Sequence, residues 1–174
     1  QRQMCIRDRI KTLQARGYQR FGVMIPKMFE KPSGFKRDAA LYSVHNAIAE
    51  ENRIPMYQME DENNFDGFEE WMETFRPDCL LGVGEEIPNK LESLGYAIPE
   101  SVAYAHLGWH SSYEGMAGMN PNWAGVGLTA VNLVADQLNR NEYGTPEHPL
   151  WVLVEGEWVD GASVRPADRE LAVS

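Results

Sequence analysis

The stretch Phe65–Val83, FDGFEEWMETFRPDCLLGV, decides the fold class. Its first part predicts a helix with one apolar face, because aromatic and apolar residues recur three and four positions apart. These residues are Phe65, Phe68, Trp71, Met72 and Phe75. Cys79–Val83 is a short apolar run and predicts a buried strand, which Pro77 and Asp78 separate from the helix. A helix that leads directly into a buried strand is the unit of a parallel α/β sheet.

The same alternation extends in both directions along the chain. Further strands are predicted at Arg20–Ile25, Met56–Met59 and Val102–Leu107. Further helices are predicted over residues 36–52 and Glu85–Leu94, and Gly17 is predicted to end a helix that precedes the first strand. We therefore predict an α/β fold in which helices flank a parallel sheet.

The last third of the chain predicts a loop, a long helix and a hairpin. Gly108–Pro121 is predicted to be a long loop, a kind of segment that often carries function. A helix follows over Asn122–Asn141, with Asn122 as its N-cap. Its predicted buried stripe is Val126, Ala130, Leu133, Val134 and Leu138. Leu150–Val154 and Trp158–Val159 flank Glu155-Gly156, a pair suited to a tight turn, which predicts a C-terminal hairpin.

The composition excludes several classes of protein. The chain has 16 Lys and Arg against 26 Asp and Glu, a net charge of −10, and no basic stripe. Nonspecific DNA binding depends on cations that displace counterions, so we do not expect these residues to grip DNA. The sequence has neither a membrane-spanning apolar run nor a signal peptide pattern, and its two cysteines are too few for a disulfide scaffold. We expect a cytoplasmic protein.

Candidate binding residues follow the predicted strands, where open α/β sheets bind ligands. They are Arg37, Glu85, Trp109, His110 and Asn120. Each has a structural alternative: a solvated arginine for Arg37, a carboxylate favoured by a helix N-terminus for Glu85, and side chains that cap the core for Trp109 and His110. For Asn120 the role stays open. His106 lies within a predicted strand and is expected in the core. No catalytic, metal or cofactor motif is present, so we expect no enzyme, metal or cofactor.

Several segments, in order, resemble the LacI/GalR family of transcriptional regulators. The segments are LQARGYQRFGV at 13–23, PDCLL at 77–81, LGYAIPESVA at 94–103, NPNWAGVG at 120–127 and VEGEWVDG at 154–161. The resemblance implies a periplasmic-binding-protein-like effector domain, of which residues 10–165 are the C-terminal lobe. Residues 1–9 are interpreted as a non-native leader and 166–174 as a tail. A helix-turn-helix is expected outside the chain.

The resemblance implies a lobe that binds a small effector, expected to be a sugar. It also implies a homodimer that binds operator DNA through residues outside this chain. Arg37 matches the arginine that begins a helix in the family. Gly84-Glu85 stands where the family has an Asn-Asp pair, the usual sugar-binding aspartate is missing at 106–109, and Pro121 replaces a glutamine. Two alternatives remain: a transport sugar-binding protein of the same fold, and a fragment of an α/β hydrolase that uses Glu85 or Glu86 with His110.

Overall fold

The computed structural model describes residues 10–26, 45, 48–61, 63–145, 148 and 150–167. The six strands are β1 (Phe21–Pro26), β2 (Tyr57–Met59), β3 (Cys79–Gly82), β4 (Ala103–His106), β5 (Ala117–Asn120) and β6 (Glu157–Val159). The helices are α1 (Phe68–Phe75), α2 (Glu86–Ser93) and α3 (Trp123–Asn139), with a 3-10 turn at Glu50–Asn52 and a helical turn at 10–14. Arg37 and most of the helix predicted over 36–52 lie outside the described residues.

The six strands form one sheet in the order β2-β1-β3-β4-β5-β6. All neighbouring strands are parallel except β6, which is antiparallel to β5. The predicted α/β fold with a parallel sheet is therefore confirmed, and the predicted strands at 20–25, 56–59, 79–83 and 102–107 each overlap an observed one.

Apolar residues cover both faces of this sheet, as a parallel sheet flanked on two sides requires. Along β3 the side chains alternate: Leu81 joins the core that contains Tyr18 and Phe21, whereas Leu80 joins the core that contains α1. Burial of each large apolar side chain contributes about 1.5–3 kcal/mol. The α1 face predicted from the sequence is the buried face, with Phe68, Trp71 and Met72 buried.

The predicted burial of the long helix is wrong. The structure confirms the helix itself and the Asn122 N-cap, whose side chain accepts a hydrogen bond from the Gly125 N–H. However, α3 has no buried residue, and its predicted core residues Leu133, Val134 and Leu138 are exposed. The periodicity indicated an apolar face, but the described part of the chain buries none of its residues.

The predicted C-terminal hairpin is also wrong. Residues 150–156 lie in no strand, and β6 pairs with β5, where Gly118, Met119 and Asn120 lie opposite Val159, Trp158 and Glu157. The predicted loop Gly108–Pro121 therefore ends in a strand. Gly118, which the sequence predicted within this loop, lies in β5. There is no space for a side chain at this position, because an added Cβ would lie 2.6 Å from the His106 carbonyl oxygen.

A clasp of polar contacts closes the amino edge of the sheet. We define the clasp as Arg16 with residues 158–165. The Arg16 guanidinium pairs with Asp160, donates to the Arg165 carbonyl at 2.9 Å and lies over the Trp158 ring. Ser163 bridges β4 and β5, because its hydroxyl accepts from the Ala117 N–H at 2.8 Å and donates to the carbonyl of β4 residue 104. The clasp thus holds the end of the chain against the sheet.

Candidate functional site

Three predicted site residues lie in sequence just beyond, or at, the carboxyl ends of three adjacent strands. Glu85 follows β3, Trp109 follows β4, and Asn120 is the last residue of β5. Two hydrogen bonds hold these ends together: the Leu107 N–H donates to the Gly82 carbonyl at 2.7 Å, and the Trp109 N–H donates to the Met119 carbonyl at 2.9 Å. The structure therefore places Glu85, Trp109 and Asn120, with His110, at one edge of the sheet.

Glu85 lies at the N-cap position of α2, and its side chain makes no capping hydrogen bond. The carboxylate is exposed. Tyr104 anchors the preceding loop, since its hydroxyl donates to the Gly84 carbonyl at 2.8 Å and lies 3.3 Å from the Gly84 N–H. Burial raises the pKa of Tyr104, so this hydroxyl remains a neutral donor. Among the described residues, the Glu85 carboxylate has no hydrogen-bond partner, so it offers an acceptor at the start of α2.

Trp109 is half-buried, and hydrogen bonds from its backbone and indole N–H groups hold it in place. Its indole N–H donates to the Met116 carbonyl at 2.9 Å, and its Cβ is one of the atoms that an added side chain at Gly118 would meet. Because the indole N–H is already paired, a ligand at Trp109 would contact the aromatic surface. Aromatic surfaces of this kind suit the apolar face of a sugar ring.

The two histidines near this edge differ in their surroundings. His110 is exposed, and its Nδ1 accepts from the Ser112 N–H at 3.3 Å. His106 is buried, as predicted, and its Nδ1 accepts from the Gly108 N–H at 3.0 Å. Its ring packs 4.3 Å from that of Tyr113. His106 therefore orders the loop, whereas the His110 ring faces solvent.

Asn120 is the start of a short hydrogen-bond chain. Its Oδ1 accepts from the Asn122 N–H at 2.9 Å, and its Nδ2 donates to Glu157 Oε1 at 3.1 Å. Asn122 in turn donates from Nδ2 to the Glu155 carbonyl at 3.3 Å. These contacts fix the orientation of the Asn120 amide and leave one N–H of its Nδ2 for a ligand.

Sequence reasoning missed Glu157 and Tyr113 as neighbours of the site. Glu157 reaches the Asn120 side chain because β6 pairs with β5, and no local pattern in the sequence indicates that pairing. Tyr113 belongs to the aromatic and polar run 109–113, so the run itself was the available signal. Among the described residues, no group of three His, Cys, Asp or Glu side chains is placed to hold a metal ion.

The opposite edge of the sheet carries an open cavity of about 670 Å³. Asp78 and Ser101, which precede β3 and β4, line it together with Arg76 and Tyr96. The Asp78 carboxylate accepts from the Gln19 and Arg20 N–H groups at 2.8 and 2.9 Å. Glu85, Trp109, His110 and Asn120 do not line this cavity. In the described part of the chain, no helix is both long and apolar enough to cross a bilayer.

The fold is that of LacI-family transcriptional regulators. No protein-family model and no curated protein matches the sequence. A LacI-family regulator from Bifidobacterium animalis subsp. lactis DSM 10140 matches with a TM-score of 0.72 and 14% identity over 97% of this chain and 63% of its own. A LacI-family regulator from Lactobacillus casei with bound sucrose gives a TM-score of 0.65 and 13% identity over 94% and 63%.

The lac repressor dimer bound to operator and the anti-inducer ONPF is similar as well, with a TM-score of 0.67 and 14% identity over 94% of this chain and 58% of its own. The chain therefore spans about 60% of the length of the solved structures that it matches. Identities at this level establish a shared fold, and the function follows only from the site.

Proposed function

We propose that this chain is the effector-binding lobe of a LacI/GalR-type transcriptional regulator, and that the whole protein is a DNA-binding homodimer. The observation that carries the proposal is the arrangement of Glu85, Trp109, His110 and Asn120 at the carboxyl ends of three adjacent strands. Open α/β sheets bind ligands at this edge. The shared fold with regulators, one of them bound to sucrose, supports the same assignment.

The ligand best suited to these groups is a carbohydrate or a related small polar molecule. The Trp109 ring offers an apolar surface, Glu85 an acceptor for a hydroxyl, and Asn120 a remaining amide donor. His110 adds an exposed imidazole. Arg37, which follows β1 in the sequence, completes the proposed contacts.

Effector binding would act on DNA by a shift between conformations. A ligand that binds one arrangement of the protein more tightly than another changes their populations in proportion to that difference. The chain has a net charge of −10, so the DNA contacts belong to residues outside it. The protein has no proposed catalytic role, and in the described part of the chain no hydrogen bond joins Glu85 to His110 as a hydrolase pair requires.

Sugar binding tests the proposal directly. We expect sucrose, glucose, galactose or ribose, titrated by calorimetry into the full-length regulator, to include at least one that binds. Trp109→Ala should weaken that binding about tenfold or more, equal to about 1.4 kcal/mol, while Trp109→Phe, which keeps an aromatic face, should retain most of it.

Glu85→Gln should also weaken binding, because it removes the charged acceptor, whereas Glu86→Gln alters a neighbouring exposed carboxylate and serves as the matched control. If the Glu85 and Glu86 variants bound sugar with equal affinity and Trp109→Ala left that affinity unchanged, the effector site would not lie at the carboxyl edge of the sheet.

A further inference from the structure

Two polar aromatic side chains lie on the same face of β4. Tyr104 and His106 are two residues apart in the strand, both are buried, and their rings are 6.3 Å apart. Each makes a hydrogen bond to the backbone of a loop at the carboxyl edge: Tyr104 to Gly84 after β3, and His106 to Gly108 after β4. This face of β4 therefore holds the two loops that carry Glu85 and Trp109.

The hydrogen bond at His106 requires an uncharged imidazole. Nδ1 accepts from the Gly108 N–H at 3.0 Å, so Nδ1 carries no proton and the hydrogen of the neutral ring lies on Nε2. A second proton would have to bind Nδ1, and its lone pair would then no longer be able to accept from Gly108. Protonation of His106 is therefore incompatible with this bond.

The described residues around the His106 ring carry no charge. They are two tyrosines and, on the neighbouring strands, two glycines: Tyr104, Tyr113, Gly82 and Gly118. The carboxylates on the same two loops, Glu85 and Glu114, are exposed, so water screens their charge. This environment favours the uncharged ring that the bond to Gly108 requires.

Tyr113 packs between the buried imidazole and the exposed one. Its ring centre is 4.3 Å from that of His106 and 6.4 Å from that of His110. His110 Nδ1 accepts from the Ser112 N–H at 3.3 Å, a bond of the same kind as that between His106 and Gly108. The exposed His110 ring can be hydrated when it gains a proton, whereas the buried His106 ring cannot without opening the loop.

We propose that His106 is a positioning residue whose protonation state controls the order of loop 107–113 and thereby the affinity of the carboxyl edge for its effector. This inference rests on the proposed function, because Trp109 and His110 are proposed effector contacts in that loop. The uncharged ring holds Gly108 and, with it, the adjacent Trp109. As the pH falls, a proton binds Nδ1, Gly108 loses its acceptor and the loop opens, so effector binding weakens in acid.

NMR of the full-length regulator tests the control of the loop without any effector. At about pH 7.5, above the ordinary histidine pKa of about 6.5, the imidazole nitrogens of His106 should show a proton on Nε2 alone. At about pH 5.5, where carboxylates with an ordinary pKa of about 4.3 stay ionised, the protection factor of the Gly108 amide should be about tenfold lower. The protection factor is already corrected for the intrinsic pH dependence of exchange. His110→Asn should leave this decrease unchanged.

Two amide variants separate the acceptor from the ring. His106→Asn places Oδ1 where Nδ1 lies, so it can accept from Gly108 but cannot titrate. Gly108 protection should persist in this variant and no longer depend on pH between about 7.5 and 5.5. His106→Gln is the matched control, because the same amide is one carbon farther from the backbone and its oxygen replaces Nε2 instead of Nδ1. Its Gly108 protection should be low at both pH values.

Sugar titration of the same proteins connects the loop to the effector. The affinity of the wild-type protein should fall by up to about tenfold between about pH 7.5 and 5.5, whereas that of His106→Asn should stay constant. His106→Gln should bind about fivefold more weakly than His106→Asn at the higher pH, the effect of one hydrogen bond.

Four results would overturn the inference: a proton on His106 Nδ1 in the neutral protein, Gly108 protection that is independent of pH, a decrease that His106→Asn shares, or a sugar affinity that stays constant while protection falls. If Gly108 protection follows the expected pH profile but no sugar binds, the control of the loop by His106 is supported and the effector proposal is contradicted. The two proposals are thus tested separately.

Discussion

At the scale of single residues, close packing explains why particular glycines stand in the sheet. Gly22 lies in β1 beneath α1, and an added Cβ would lie 2.5 Å from the Trp71 ring and 2.6 Å from a methyl group of Leu80. Neither neighbour has free space, because both belong to the buried core around α1. The absence of a side chain at Gly22 is what lets this helix approach the sheet.

Gly22→Ala is therefore expected to reduce the free energy of unfolding by about 1–3 kcal/mol, since overpacking displaces neighbours in a dense core. The measurement is urea denaturation followed by circular dichroism. Gly127→Ala is the matched control, because its Cβ would meet nothing within 4 Å and lies inside α3. That control should leave stability unchanged or raise helicity slightly; equal losses in both variants would contradict the packing argument.

At the scale of secondary-structure elements, hydrogen bonds rather than apolar contacts determine how α3 begins. Asn122 has a left-handed backbone, with φ of 57°, and its side chain accepts from the Gly125 N–H at 3.0 Å. The same side chain donates to the Glu155 carbonyl. One asparagine thus caps the helix and joins its start to the segment that precedes β6.

Asn122→Ala should fray the first turn of α3, with a local cost of about 1 kcal/mol, because it loses the cap and disfavours a positive φ. Amide exchange of residues 123–126, measured by NMR, should accelerate accordingly. Asn122→Gly keeps the backbone freedom and should have a smaller effect. Unchanged exchange in both variants would show that the cap contributes nothing to this helix.

At the scale of the whole molecule, the clasp connects residues far apart in sequence. The Arg16 side chain is 5% exposed, and it contacts Asp160, Trp158 and the Arg165 carbonyl. The Tyr18 hydroxyl accepts from the Arg165 N–H at 2.9 Å, and Arg165 lies over the Tyr18 ring. These contacts join the segment before β1 to the segment after β6.

Arg16→Ala should lower the free energy of unfolding by about 1–3 kcal/mol, because it removes charge-assisted hydrogen bonds and the packing of a side chain that is only 5% exposed against the Trp158 ring. Proteolysis by thermolysin should then cut within 158–165 more readily. Arg140→Ala breaks an ion pair with Glu142 in which both side chains are exposed, and is expected to have no measurable effect. If the two variants behave alike, the clasp is no more than a surface ion pair.

Patterns local in sequence determined the class of fold. The apolar spacing at 65–75 and the runs at 20–25, 79–83 and 102–107 are sufficient for the parallel α/β sheet, because helix and strand periods are properties of a few neighbouring residues. For the same reason the Asn122 cap, the buried His106 and the buried Cys79 were predictable. The position of Glu85 and Trp109 at one edge followed from the parallel order of β3 and β4, whereas Asn120 reaches that edge through β5, a strand that the sequence patterns did not predict.

Only the tertiary structure decided what those elements pack against. Periodicity identified the apolar face of α3, but an apolar face carries no information on whether its partner lies in the same lobe, and here none of its residues is buried. Strand pairing is likewise a long-range choice, so β6 joined β5 instead of forming a hairpin with residues 150–154 and thereby brought Glu157 to Asn120. Contacts between distant parts of the chain depend on the whole fold, and local sequence patterns do not encode them.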